Sequence, residues 1–336
     1  MKAPVLFCAV ILSLSRALAE DDPVAAANAA WKARDFAKAA ELIAKPVTEG
    51  NAAALFLKGR MAESGRGAPL SLTEAAKLYQ QAMDKGNADA TGAYGRLLIA
   101  GSGGLTKDET RGVFLIRKAA EAGSAAAMTI LGEFAARGIG QEADPRTAVF
   151  WYERAANEKE SLGYLGLAQL YDTGAPGLPK DENRGTALIL EAAKLGEPLA
   201  MNEMGIRYQS GRGIAMDNVA AVGWFSLAAQ HDLASAQVNL GNCYENGNGC
   251  MKDYTRAGAN YAAAAKQGHA LGQYMLASLF ERGLGGEKNN VYAYVNYFRS
   301  AAAGFKEAEL KRDELKGTLS ADQLKEAGKM LETPAK

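Results

Sequence analysis

The chain has 336 residues, 48% of them hydrophobic, with 38 Lys+Arg set against 38 Asp+Glu. That apolar content can fill a buried core and excludes a disordered chain. A formal charge of zero leaves no basic surplus to hold nucleic acid or an anionic membrane.

The first stretch, MKAPVLFCAVILSLSRALAE, carries Lys2, an apolar run from Val5 to Leu14, and small residues Ala17 and Ala19 ahead of Glu20. This is the layout of a secretory leader, expected over residues 1–19. The run is shorter than the roughly 20 apolar residues that span a bilayer. Its removal takes Lys2, Arg16 and Cys8, so 38 − 2 = 36 Lys+Arg remain against 38 Asp+Glu, a net charge of −2. Cys243 and Cys250 then stand in a compartment where disulfides persist. The expectation is a periplasmic or secreted protein with no nucleic-acid partner and no membrane insertion after cleavage.

Residues 20–50 follow as an N-terminal helical cap, with Pro46 marking an irregularity near the close of its second helix. Residues 51–304 are periodic. LFLKGRMAESGRG (55–67), TGAYGRLLIAGSG (91–103), MTILGEFAARGIG (128–140), MNEMGIRYQSGRG (201–213) and QVNLGNCYENGNG (237–249) each place two further glycines six and eight residues after a first. YLGLAQLYDTG (164–174) and QYMLASLFERG (273–283) join them with alanine at the first position. The anchors are Gly59, Gly95, Gly132, Ala168, Gly205, Gly241 and Ala277, spaced by 36, 37, 36, 37, 36 and 36 residues. Seven copies at so steady a period define a repeat protein.

Each copy divides into two helices. The glycine that follows the first apolar stripe can adopt left-handed backbone angles and stops that helix. A polar residue then opens the second: Ser71, Asp108, Asp144, Asp181, Asp217, Asp253 or Asn289. All seven are side chains suited to accept free amide protons at a helix N-terminus. Each second helix carries a small residue (Ala75, Gly112, Ala148, Gly185, Ala221, Ala257, Ala293). Large residues such as Leu78, Leu115, Trp151, Leu188 and Trp224 lie three further on, expected to interlock with the first helix. Residues 305–336 close the chain with one amphipathic capping helix over 318–331, capped by Ser320 with Leu324 and Met330 inward, and a tail.

The pattern A…LG..Y..G.G…D…A..WY..AA..G, clearest in residues 200–232 and 236–268, resembles the Sel1-like repeat family, a branch of the tetratricopeptide-like solenoids. The resemblance covers about residues 51–304, and residues 25–50 resemble a tetratricopeptide helix pair. It implies an all-α fold, a right-handed α/α superhelical solenoid of about seven helix pairs with helical caps, and a non-enzymatic role without a cofactor. Neighbouring pairs must stack, because one pair cannot bury its apolar face alone.

The chemical candidates are few. In LGNCYENGNGCMKDY (240–254) the glycines belong to the repeat and Asp253 is its cap, so only the cysteines are peculiar to this copy. A Cys243–Cys250 staple is the expected pairing, with two buried thiols as the alternative. Two sulfurs leave half of a zinc shell empty, and a catalytic redox pair has two residues between its cysteines, not six. His231 and His269 read as solvated turn residues.

On the first helix the core stripe uses offsets −5, −1, +2 and +3 from the anchor, so +1 and +4 point away from it. Offset +1 holds Arg60, Arg96, Glu133, Gln169, Ile206, Asn242 and Ser278. Offset +4 holds Glu63, Ile99, Ala136, Asp172, Gln209, Glu245 and Glu281. First helices line the concave face of tetratricopeptide-like solenoids, so the resemblance places a protein or peptide partner on these positions. It implies an exported scaffold or adaptor in envelope signalling or complex assembly. A secreted host-interaction factor and a protein that binds or hydrolyses cell-wall fragments are the alternatives.

Overall fold

Helix-forming residues between glycine stops and polar caps produce eighteen helices in the computed structural model, which describes residues 22–140 and 142–332. The leader expected over residues 1–19 and the tail 333–336 lie outside the described residues. The N-terminal cap is α1 (Pro23–Lys32) and α2 (Phe36–Thr48), with Pro46 inside α2. The repeat pairs are α3 (Ala52–Ser64) and α4 (Leu72–Asp84), α5 (Ala88–Ala100) and α6 (Glu109–Glu121), α7 (Ala125–Arg137) and α8 (Pro145–Asn157), then α9 (Ser161–Thr173) and α10 (Glu182–Lys194). They continue as α11 (Pro198–Ser210) and α12 (Asn218–Gln230), α13 (Ala234–Asn246) and α14 (Tyr254–Lys266), and α15 (Ala270–Arg282) and α16 (Asn290–Ala302).

The chain ends differently from the expected single helix. Residues 305–336 hold two helices, α17 (Lys306–Lys316) and α18 (Ala321–Glu332). Ser320 caps α18 by accepting from the Gln323 amide, and Gln323 Oε1 accepts from the Ser320 amide in return. Leu324 and Met330 are partly buried against the cluster that holds Ala308 and Leu315 of α17. α17 escaped the sequence reading because KEAELKRDELK is charged almost throughout, with Ala308, Leu310 and Leu315 as its apolar residues, and Leu310 is exposed.

The fold is all-α among the described residues, apart from one isolated bridge between Ala175 and Leu178. No described helix is long and apolar enough to cross a membrane. The chain divides at Gly166/Leu167 into two compact units. In the first, α3 packs on α4, α5 on α6 and α7 on α8; in the second, α11 packs on α12, α13 on α14 and α15 on α16. Ser71 accepts from the amide of Glu74, Asp108 from Arg111, Asp144 from Arg146, Asp181 from Arg184, Asp217 from Val219 and Ala220, Asp253 from Arg256, and Asn289 from Tyr292. Each cap satisfies an amide that the first turn leaves without a helical partner.

The anchor glycines make close helix contacts. A Cβ on Gly59 or Gly241 would stand 2.5 Å from the ring of Tyr79 or Tyr261, and one on Gly132 2.6 Å from Tyr152. Gly205 meets Phe225 in the same way. The interlocking side chain is therefore the residue after the one expected. Tyr79, Ile116, Tyr152, Ile189, Phe225, Tyr261 and Tyr297 are buried at that position, whereas Trp151, Leu188 and Trp224 are only half-buried.

Gly241→Ala forces the Tyr261 ring out of its slot and is expected to destabilise the protein by about 1–3 kcal/mol, as overpacking does. Gly223→Ala, on α12 with nothing within 4 Å of the added carbon, is expected to stabilise by roughly 0.5–1 kcal/mol through helix propensity. Urea unfolding of both variants checks the pair, and equal effects would remove the ring-in-slot account.

Candidate partner-binding surface

The residues expected to meet a partner divide into two sets. At offset +4, acids are already engaged inside the protein. Glu63 accepts from the Tyr79 hydroxyl at 2.7 Å and pairs with Arg96 of the next repeat. Glu281 accepts from Tyr297 at 2.7 Å. Glu245 is buried, 2.9 Å from the Tyr261 hydroxyl and 2.9 Å from Arg282 of the following repeat. Burial first, and the facing carboxylate after it, hold the hydroxyls of Tyr79, Tyr261 and Tyr297 well above the ordinary tyrosine range, so they donate as neutral phenols.

Offset +1 is more open. Arg60, Arg96 and Gln169 are exposed, and Arg60 lies over the rings of Trp31 and Phe56 at 5.2 and 5.9 Å. Glu133 is half-buried and 2.6 Å from Arg137 one turn on. Ile206 joins the apolar cluster of Phe225, and Asn242 Oδ1 lies 2.6 Å from the Tyr261 hydroxyl. Arg60 makes no ion pair between repeats among the described residues, while Arg96 does.

One charged residue escaped the sequence reading. Arg207 occupies offset +2, where the other copies carry Met61, Leu97, Phe134, Leu170, Cys243 and Leu279, and it is 0% exposed. It pairs with Asp172 of the preceding repeat, donates to Thr186 Oγ1 at 2.7 Å and to the Glu182 carbonyl at 3.3 Å, and lies 3.4 Å from Glu203. Asp172 fits only because Gly185 has no side chain; a Cβ there would overlap Oδ1. Asp172 Oδ1 has no hydrogen-bond partner of its own. The available signal was a lone cation in an otherwise apolar column of the repeat alignment.

The expected staple is not shown by the structure. Cys243 and Cys250 are both free, Cys243 buried and Cys250 half-buried against the same Phe225 cluster. Burial pushes the Cys243 thiol up to about 11. His269, expected as a plain solvated residue, is the N-cap of α15: its Nδ1 accepts from the Gly272 amide at 3.2 Å, and burial lowers its pKa.

Two grooves lie beside second helices, one in each unit. In the first unit, a cavity of about 590 Å³ opens between α6 and α8, floored by Leu131 and Phe134 and walled by Val113, Arg117 and Trp151. The one in the second unit, about 320 Å³, lies where α14 presents Gly258, Ala259 and Ala262.

The Sel1 repeat model matches residues 52–87, 88–124, 125–159, 161–197, 198–233, 234–269 and 270–305. The chain belongs to the Sel1 repeat family, whose members generally mediate protein–protein interactions on a solenoid that is typically non-catalytic. It is 34% identical over 139 residues to chitin synthase regulatory factor 3 of Schizosaccharomyces pombe, a match covering 41% of this chain and 15% of that protein. Among solved structures, a protective antigen of uropathogenic Escherichia coli with an SLR fold is similar with a TM-score of 0.67 and 27% identity, over 88% of this chain and 63% of that one. A Sel1 repeat protein of Oxalobacter formigenes aligns with a TM-score of 0.57 and 30% identity, over 73% of this chain and 99% of that one. The chain therefore spans 15% of that curated relative and 63% of the antigen.

Asp172→Ala leaves buried Arg207 with Glu203 at 3.4 Å as its remaining acid and is expected to cost up to about 3–5 kcal/mol, whereas Arg207→Met with Asp172→Leu should cost less. Chemical denaturation of the two variants measures the difference. In the native protein a maleimide should label Cys250 well before Cys243, read by mass after timed quenching; simultaneous labelling, or none before reduction, would contradict two free thiols of unequal burial.

Proposed function

We propose that this protein is an exported Sel1-repeat scaffold that binds a protein partner along its first helices, in envelope signalling or in the assembly of a complex. The observation that carries this reading is that the +1 residues Arg60 and Arg96 of the first unit are exposed, as is Gln169 of the second, while acids such as Glu63 are engaged within the protein. A column read by several repeats can bury about 800 Å² on each partner, the size of a specific interface, with no single dominant residue. The Schizosaccharomyces pombe relative, whose name makes it a regulatory factor of chitin synthase, supports a role in which such repeats attach a regulator to another protein. The likeness to a protective antigen favours a second reading, a secreted host-interaction factor.

Mild crosslinking in producing cells, followed by purification of the tagged chain, tests the scaffold reading. One stoichiometric protein is expected, reduced at least tenfold by Arg60→Glu combined with Gln169→Trp. Arg96→Glu is unsuitable for this purpose because it also breaks the contact with Glu63. The recovered chain should begin at Glu20. An uncut N-terminus would overturn export, and background proteins alone would overturn the scaffold reading.

A further inference from the structure

The first helices of the first unit carry their charges unevenly. α3 holds Lys58, Arg60 and Glu63, and α5 holds Asp89 and Arg96. Both acids are already engaged: Glu63 by the Tyr79 hydroxyl and Arg96, and Asp89 by the Ser124 hydroxyl at 2.6 Å. On α7 the one acid, Glu133, is paired with Arg137. α1 contributes Lys32 and no acid, and Asp22 ahead of it is engaged as its cap. Lys58 and Arg60 are exposed and make no ion pair among the described residues.

Arg60 is ordered in another way. Its guanidinium lies 5.2 Å from the centre of the Trp31 ring and 5.9 Å from that of Phe56. Trp31 is in turn braced by an edge contact with Phe36, with the ring centres 4.9 Å apart. A ring face attracts a cation through its quadrupole and leaves the charge uncancelled. A carboxylate partner, such as Glu63 is for Arg96, would have neutralised it. Arg60 therefore presents a positioned guanidinium whose N–H groups meet no acceptor among the described residues. Such a planar fork pairs with a carboxylate through two parallel hydrogen bonds.

Arg96 holds the same +1 position 36 residues further on, and its side chain is 50% exposed beside Glu63. Two arginines thus face outward with a single, doubly engaged acid between them. Packed helices stand about 8–10 Å apart. An extended segment rises about 3.3 Å per residue, so acids about three residues apart would reach both arginines.

We propose that Arg60 and Arg96 receive two carboxylates of an acidic, extended peptide segment of a protein partner, the first on the Arg60 fork and the second on the open side of Arg96. This inference rests on the +1 column as the partner-binding face and names the chemistry that its first-unit end selects. Ordering Arg60 on the rings before the partner arrives lowers the entropic cost of holding it in the complex. Charge complementarity of this kind chooses among partners and speeds their encounter. Two outward arginines are too few for a phosphate backbone, which is held by neutralising many phosphates at once.

A random twelve-residue peptide library displayed on phage and selected on the purified full chain provides the test. Enriched sequences are synthesised with blocked termini and measured by fluorescence anisotropy. Pairs of Asp or Glu about three residues apart are expected in the enriched set. Arg60→Gln should weaken binding at least tenfold with an unchanged melting temperature, and amides in place of the peptide acids should do the same. Lys77→Gln, which removes an exposed cation from the neighbouring second helix α4, should leave binding unaltered. No enrichment, an enriched set without acids, indifference to Arg60→Gln, or equal weakening by Lys77→Gln overturns the proposal. So does equally tight binding of a twelve-residue oligothymidine. A crosslinked partner lost from the Arg60→Glu, Gln169→Trp double variant but retained by Arg60→Gln would remove the acid site and leave the scaffold standing.

Discussion

The structure depends on a helix pair closing until an aromatic or branched side chain fills the space of a missing methyl group. The anchor glycines Gly59, Gly132, Gly205 and Gly241 receive the rings of Tyr79, Tyr152, Phe225 and Tyr261. A glycine inside a helix is unfavourable by itself, by about 1 kcal/mol relative to alanine. The ring it admits repays this, since a buried aromatic side chain removes 150–250 Å² from water. The close approach then brings the hydroxyls of Tyr79 and Tyr261 onto Glu63 and Glu245, the acids four residues past their anchors, and so decides where the polar groups of those repeats go.

That second consequence changes the meaning of the first-helix face. Glu63, Glu245 and Glu281 look like a partner-facing row in the sequence, but each takes a tyrosine hydroxyl of its own pair. Glu63 and Glu245 also take an arginine from the next repeat. Asp172 and Arg207 make the same kind of inter-repeat connection with the cation drawn fully inside. Taking two charges out of water is costly, so this buried pair contributes less net stability than its geometry suggests and more to fixing which surfaces meet.

The second-helix side is shaped by how well each loop covers its predecessor. Gly249 and Gly285 are held in left-handed conformation against carbonyls of the preceding helix, where any side chain would collide. Gly140 shares the conformation without the contact. Beside Gly140 the uncovered space is lined by Trp151 and Arg117 together with Glu109 and Glu121.

The sequence by itself determined the helix count within the repeats, their period, the seven caps and the family. These depend on local chemistry: glycine at a stop, an oxygen-bearing side chain at a start, and a spacing of 36 or 37 residues that any neighbour must respect. The tertiary structure alone decided that Tyr79 and not Leu78 enters the glycine slot, that Glu245 is buried and Gln169 exposed, that Cys243 and Cys250 remain free, and that a groove opens beside Gly140. Adjacent positions on a helix differ by about 100° around its axis, and helical spacing alone does not say which of them a partner helix will press against. Those outcomes are set by contacts between residues tens of positions apart.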